Sequence, residues 1–208
     1  MTLLMRTERL DVPENKMQFI TDRQIYEQVI QTAVPSAKEF LWLATSDLKD
    51  LHVHQGKRMI PFLGVLSGLI ANGVSVRLLH AKEPGPAFRQ DFDRYPNLIT
   101  GLERILCPRV HFKSVIVDGR YAYSGSANLT GAGMGAKGSH RRNFESGFVT
   151  TNPEIVHAIM AQFDRVWMGA ECEACQRKQH CSDYQELLDK GTNSAPSPTV
   201  TRRRGRRN

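Results

Sequence analysis

The stretch HFKSVIVDGRYAYSGSAN, residues 111–128, has the pattern of a β-hairpin but carries charged side chains that a hairpin does not need. Two strand-forming runs flank Asp118-Gly119, a dipeptide that favours a tight turn. His111 and Lys113 are two residues apart, so in a strand they point to the same face. The second run ends in small residues at 125–128. A charged pair beside a small-residue turn calls for a chemical explanation.

These side chains suit a bound phosphodiester, whose anionic oxygens repel nucleophiles until they are neutralised. Lys113 can supply that positive charge, and Ser126 and Asn128 can donate hydrogen bonds to the same oxygens. A histidine side chain can attack as a neutral imidazole or move a proton, so His111 can act in either way. The alternative interpretation is an ordinary strand pair with a satisfied polar face.

The spacing also resembles the HKD motif of the phospholipase D superfamily. The match fixes six residue types over eighteen positions, namely His111, Lys113, Asp118, Gly125, Ser126 and Asn128. The resemblance implies that His111 forms a phosphohistidine intermediate and that a second histidine protonates the leaving oxygen, with no divalent metal in the reaction. It gives Asp118 a supporting role in the site, whereas local sequence equally favours a turn residue. Glu145 matches a carboxylate that hydrogen-bonds the catalytic histidine in related nucleases; the alternative is a solvent-facing strand residue.

Sequence on both sides of the hairpin predicts an α/β domain. The apolar runs at 39–46 and 74–81 enclose a predicted helix that begins near Pro61 and ends at Gly73, which implies a right-handed β-α-β crossover. Further predicted elements are helices over 22–34, capped by Thr21 or Asp22, over 84–106 and over 153–169, and a strand over 144–151. The resemblance adds a mixed β-sheet flanked by helices on both faces. We therefore expect one phospholipase D-like catalytic domain over residues 1–169.

The chain contains one HKD motif, whereas the family's active site needs two histidines. His52, His54 and His80 lie in the N-terminal half, but none stands in a His-x-Lys with the downstream spacing, and the segment at 52–58 is predicted to be a polar loop. A homodimer that joins two copies across a two-fold axis would supply the second histidine. Single-motif members of the family, which are similar to this chain in length, assemble in this way and are nucleases.

Charge favours a nucleic acid as substrate, DNA in preference to RNA. The formal net charge is +7, of which five arginines in 191–208 supply most. A loop after the motif carries four further basic residues, Lys137, His140, Arg141 and Arg142. They can form a cluster that binds a nucleic-acid backbone; the alternative interpretation is an ordinary solvated loop. No membrane span and no secretory signal is evident, so we expect a cytoplasmic protein without a membrane partner. A catalytically idle nucleic-acid-binding module and a phospholipid-hydrolysing phospholipase D remain alternatives.

All four cysteines fall into one pattern: Cys172, Cys175 and Cys181 are closely spaced, and Cys107 is a remote fourth. Four thiolates can bind zinc or a [4Fe–4S] cluster. The spacing resembles the cluster pattern of certain helicase-nuclease and CRISPR-associated enzymes, and a second Cys-x2-Cys pair typical of zinc is absent. We therefore predict a structural metal centre, the iron–sulfur cluster in preference to zinc, with His180 as a substitute ligand. Residues 170–190 form the predicted metal-binding segment and 191–208 a disordered basic tail.

Overall fold

The computed structural model of the protein describes residues 16–184, and a seven-stranded mixed sheet organises them. The predicted tail at 191–208 lies outside the described residues, as do residues 185–190 of the cysteine segment. The strands, in chain order, are β1 (Met17–Thr21), β2 (Phe40–Thr45), β3 (Leu48–Lys49), β4 (His52–Gln55), β5 (Arg58–Pro61), β6 (Ser75–His80), β7 (Leu102–Leu106), β8 (Lys113–Val117), β9 (Tyr121–Gly125), β10 (Leu129–Thr130) and β11 (Ser146–Thr150).

The helices pack on this sheet from both sides. Helix α1 begins as Arg23–Ile25, continues as a π-helical segment Tyr26–Ala33 and ends in a 3-10 turn, Val34–Ser36; the others are α2 (Phe62–Ala71), α3 (Pro86–Asp93), α4 (Asn97–Gly101) and α5 (Pro153–Trp167), followed by a 3-10 turn, Lys178–His180. At 15 residues α5 is the longest, and no helix between residues 16 and 184 is long and apolar enough to cross a bilayer.

The order of strands in the large sheet is β1-β11-β9-β8-β2-β6-β7. The hairpin β8–β9 is antiparallel, with Lys113 opposite Gly125 and Val117 opposite Tyr121. Strand β8 also pairs antiparallel with β2. Strand β2 pairs parallel with β6, and the crossover helix α2 lies in the connection between these two strands. The predicted hairpin and β-α-β unit are therefore adjacent at the centre of one mixed sheet.

Alternation along the strands divides the core between the two faces of the sheet. Val115 packs into the larger cluster with Tyr26 of α1 and Leu66 of α2. Its neighbour Ile116 packs into the second cluster with Phe163 of α5. Helices thus cover both faces of one domain, which confirms the predicted fold class.

Two local predictions were wrong. Residues 102–106, expected to continue a helix, form strand β7, because pairing with β6 satisfies their backbone groups. Residues 52–61 form the hairpin β4–β5 rather than a loop, and Gly56 supplies the positive φ of 61° that its tight turn requires.

Candidate active site

One edge of the sheet collects the residues of the motif. Strands β8 and β11 begin at this edge and β2 and β9 end there, because each neighbouring pair of β2, β8, β9 and β11 runs antiparallel. Lys113, Gly125 and Gly147 occupy one row across three adjacent strands. A Cβ on Gly125 would lie 2.6 Å from the Ser146 carbonyl oxygen, so this row has no space for a second side chain beside Lys113.

Lys113 is the buried cation of the site. It is 7% exposed, and its ammonium donates a 2.7 Å hydrogen bond to the carbonyl oxygen of His111. Burial lowers the pKa of Lys113, and the nearby carboxylate of Glu145 opposes that shift. An ammonium has three N–H donors, so the lysine can keep this bond and still contact a phosphate oxygen.

His111 precedes β8 and is exposed. Among the described residues its imidazole has no hydrogen-bond partner, so both ring nitrogens are available for chemistry. Its backbone, by contrast, is held by the bond from Lys113. The nucleophile that the motif predicts therefore stands at the mouth of the site, beside the cation.

Glu145 binds Ser126 rather than His111. The Ser126 hydroxyl donates to one oxygen of the carboxylate, and Asn143 donates to the other at 3.0 Å. The expected hydrogen bond from Glu145 to the ring of His111 is absent from the described residues. The carboxylate acts on Lys113 through its charge instead, and it orients Ser126 at the edge.

Asn128 has one half of its amide fixed and the other half available. Its Oδ1 accepts a 3.1 Å bond from the Ser46 N–H and lies 3.2 Å from the Thr45 hydroxyl. Thr45 in turn accepts the Leu129 N–H at 3.0 Å, which ties the small-residue turn to the end of β2. Within the described chain the NH₂ of Asn128 has no partner, so it can donate to a ligand.

Asp118 does not belong to this edge, which corrects its assignment as a catalytic residue. It follows the far end of β8, about 16 Å from Lys113 along the strand. Its carboxylate accepts bonds from the N–H groups of Lys38, Glu39 and Phe40 at 2.8–3.2 Å. Asp118 thus fastens the start of β2 to the β8–β9 turn, with a φ of 51°.

The four basic residues of the loop differ in availability. Lys137 forms a 2.6 Å ion pair with Asp50. Burial by itself would raise the pKa of Asp50, but the Lys137 ammonium lowers it below its ordinary value. His140 and Arg141 are exposed and Arg142 is half-buried; in residues 16–184 neither arginine has a carboxylate within salt-bridge distance. Three of the four are therefore free to meet an anion.

Sequence reasoning missed Phe144 and Asp22. Phe144 is 94% exposed and adjoins Glu145, an unusual position for a large aromatic ring. Asp22 was expected to cap α1, but its carboxylate accepts the N–H of Glu145 at 2.9 Å and its own N–H donates to the Glu145 carbonyl. An exposed aromatic ring beside a basic loop can be noticed in sequence; the clamp between residues so distant in sequence cannot.

His80 is the remaining histidine at this edge, at the end of β6. It is 2% exposed, and its Nδ1 lies 2.9 Å from the Lys82 carbonyl oxygen. Burial lowers its pKa, which favours the neutral form of the ring. A buried ring with a backbone partner cannot serve as the second catalytic histidine of the family.

The four cysteines are free thiols at the same edge, where β7 ends. Cys107 directly follows β7, and the Cys181 thiol lies 3.4 Å from the carbonyl oxygen of Leu106. Within residues 16–184 no three His, Cys, Asp or Glu side chains are close enough to surround a single ion. The cysteine segment thus lies against the end of β7, but a one-ion geometry is not present among the described residues.

Comparison with known proteins agrees with this architecture. A family model described as "Cardiolipin synthase, PLD-like domain" matches residues 29–167. No curated protein sequence matches the chain. Similar solved structures include the phospholipase D family member Nuc from Salmonella typhimurium (TM-score 0.56, 18% identity, 74% of this chain and 95% of Nuc). NucT from Helicobacter pylori is similar at TM-score 0.56 and 15% identity (73% and 95%), and the archaeal chromatin protein TrmBL2, reported with a novel mode of DNA binding, at 0.52 and 12% (76% and 54%).

Proposed function

The chain belongs to the phospholipase D-like family, and from that premise we propose that it is a phosphodiesterase that cleaves nucleic acid, in an active site built by two copies of the chain. One observation carries the proposal: an exposed histidine, a buried lysine and the amide donor of Asn128 share one sheet edge with Ser126, whose hydroxyl Glu145 holds. This arrangement provides a nucleophile, a charge for the phosphate and hydrogen bonds for its oxygens.

In the first step the neutral imidazole of His111 attacks phosphorus. A phosphorus–nitrogen bond forms, the bond to the leaving oxygen breaks, and that oxygen takes a proton from an acid on the opposite side. Lys113 and Asn128 donate to the non-bridging oxygens, where negative charge accumulates. Because these donors are fixed by the sheet before substrate arrives, little reorganisation is needed during the reaction.

The acid is His111 of the partner subunit. A two-fold axis at the sheet edge places the same residue on both sides of one phosphate, as an isologous dimer requires. In the second step the partner's His111, now neutral, removes a proton from water, and the water oxygen displaces the first imidazole from phosphorus. Both histidines return to their starting states, and no divalent cation takes part.

The surroundings favour a polynucleotide. Arg141, His140 and the half-buried Arg142 can follow a phosphate backbone, and the ring of Phe144 can stack on an unpaired base. Attack by an enzyme imidazole makes no use of a ribose 2′-hydroxyl, so DNA suffices as substrate. The DNA binding reported for TrmBL2, whose fold is similar, agrees with that choice. Four free cysteines suit a reducing compartment, so we place the activity in the cytoplasm.

The test compares wild type with His111→Ala on labelled single- and double-stranded DNA, RNA and phosphatidyl substrates, in EDTA. We expect DNA cleavage that persists in EDTA and is lost in the variant, with a covalent phosphohistidine trapped by acid quenching. Circular dichroism checks that the variant and the EDTA-treated protein remain folded. The family model's description as cardiolipin synthase favours a phospholipid as the second candidate. Turnover of the lipid alone would establish that candidate, and binding of DNA without cleavage would indicate an idle module.

A further inference from the structure

The segment after α5 is docked on the loop that carries His111. The Leu106 N–H donates a 2.6 Å bond to the Asp183 carboxylate, and the Arg177 guanidinium lies 3.5 Å from the Pro108 carbonyl oxygen. With the contact of the Cys181 thiol to Leu106, the segment has three contacts to residues 106–108. These contacts bring the three clustered cysteines to the position of Cys107.

The Cys172–Cys175 turn is already arranged to stabilise a thiolate. The Cys175 N–H donates to the Cys172 carbonyl at 3.2 Å, closing the turn. The Arg177 N–H donates to the Cys175 sulfur at 3.4 Å. Hydrogen bonds to sulfur are a means by which proteins tune thiolate-bound centres.

A cavity of about 380 Å³ adjoins three of the four cysteines. Cys107, Cys172 and Cys175 line it together with the apolar side chains of Val110 and Phe112. Cys181 lies at the same end of β7, where its thiol contacts the carbonyl oxygen of Leu106, the residue before Cys107.

The dimensions distinguish one ion from a cluster. In a tetrahedral zinc site with bonds of about 2.3 Å, the sulfurs are only about 3.8 Å apart. No such compact group exists in residues 16–184, where Cys107, Cys172 and Cys175 line one cavity instead. In a [4Fe–4S] cluster each cysteine binds a different iron, so the ligands stand around a larger body. Arg109 and Arg165 also line the cavity and can offset the negative charge of four thiolates.

We propose that Cys107, Cys172, Cys175 and Cys181 bind a [4Fe–4S] cluster, each thiol losing its proton on ligation, and that the cluster fixes the path of the loop 107–112. That loop leaves β7, passes the ends of β6 and β2 and enters β8, a span of three strand spacings or about 14 Å. His111 stands four residues after Cys107, so the cluster positions the nucleophile without touching substrate. The proposal extends beyond phosphodiester cleavage and does not depend on it.

The test is chemical analysis of full-length protein purified without oxygen. We expect about four irons and four acid-labile sulfides per chain and a brown colour. Cys175→Ala and Cys181→Ala should each lose most of the iron, whereas Gln176→Ala, exposed between the same cysteines, should keep it. His180→Ala should also keep it, since four thiolates complete the ligand set.

Hydrogen exchange supplies the second measurement. Amides of residues 107–112 should exchange more slowly in cluster-loaded protein than in protein stripped of iron, while those of α2 should not change. One zinc per chain with no iron would overturn the cluster. Four titratable thiols without metal in anaerobic protein would overturn the metal centre altogether. Since metal content and exchange are measured without substrate, these results stand apart from the outcome of the cleavage assay.

Discussion

Replacing Asp118 tests whether this residue serves only the fold, as its contacts indicate, or also supports the catalytic site, as the motif resemblance implies. Its carboxylate accepts bonds from three N–H groups, of which that of Phe40 is half-buried and those of Lys38 and Glu39 are exposed. A hydrogen bond to a charged group contributes about 1.5–3 kcal/mol to stability when it is buried. The loss of an exposed hydrogen bond costs less, because water replaces the missing partner. The φ of 51° adds about 1 kcal/mol against alanine.

Asp118→Ala should therefore lower the free energy of unfolding by about 3 kcal/mol, or Tm by about 6–12 °C in a chain of this size. Asp118→Gly tolerates the positive φ and should cost about 2 kcal/mol. Asp118→Asn keeps an acceptor and also tolerates that backbone conformation, so it should cost about 1 kcal/mol. Urea denaturation followed by circular dichroism gives the three values.

Turnover per folded molecule provides the decisive comparison. Well below the unfolding transition, kcat of all three variants should remain within about twofold of wild type, because Asp118 lies about 16 Å from Lys113 along the strand. The reasoning is refuted if Asp118→Ala unfolds like wild type while its kcat falls a hundredfold or more.

Three further predictions concern the site itself. When His111→Ala subunits are mixed with an equal amount of wild type and allowed to exchange, the mixture should have about one quarter of the activity of the same total amount of wild-type protein, since only wild-type homodimers have both histidines. An activity of about one half would mean that each subunit has an independent site. Lys113 loses its charge as the pH rises through its pKa, and that pKa is lower than the pKa of an ordinary lysine. KM should therefore begin to rise at a less alkaline pH than it would if an ordinary lysine bound the phosphate. Glu145→Gln removes the opposing charge and should shift that rise to still lower pH; an unshifted profile would contradict the interaction. Phe144→Ala should weaken binding of single-stranded DNA roughly tenfold, as expected for one lost stacking contact, whereas Ile99→Ala, equally a change at an exposed apolar side chain, should not.

The central elements could be predicted from sequence because their signals are local. The hairpin has a turn dipeptide between two apolar runs, and the crossover helix has a proline at its start and a glycine beyond its end. Strand β7 could not be predicted, because the apolar residues of its five-residue run fit a helix as well as a strand, and pairing with β6 decides between them. Contacts between residues distant in sequence could not be predicted either. The sequence shows that Lys137 is basic, but its ion pair with Asp50 depends on the fold.

For Asp118 the sequence left two interpretations open, a supporting residue of the site and a turn residue, and the fold favours the second. A motif specifies which residue types occur at which spacing in the sequence. It does not show that a strand between two of those residues holds them far apart in space. Four residues of β8 intervene between Lys113 and the turn, and both Lys113 and Asp118 match the motif equally well. Only the sheet reveals that they occupy opposite edges, one beside His111 and the other at the start of β2.

Lys113 connects the chemistry to the scaffold more closely than its charge alone implies. The ring of His111 has no hydrogen-bond partner among the described residues, so the backbone determines where it stands. That backbone has two anchors: the Lys113 ammonium at the His111 carbonyl, and the docked cysteine segment at residues 106–108. Because an ammonium has three donors, Lys113 can hold the nucleophile's backbone and a phosphate oxygen at once. Binding of the phosphate and placement of His111 are thus performed by one side chain, and the cysteine segment limits how far the other end of the loop can move.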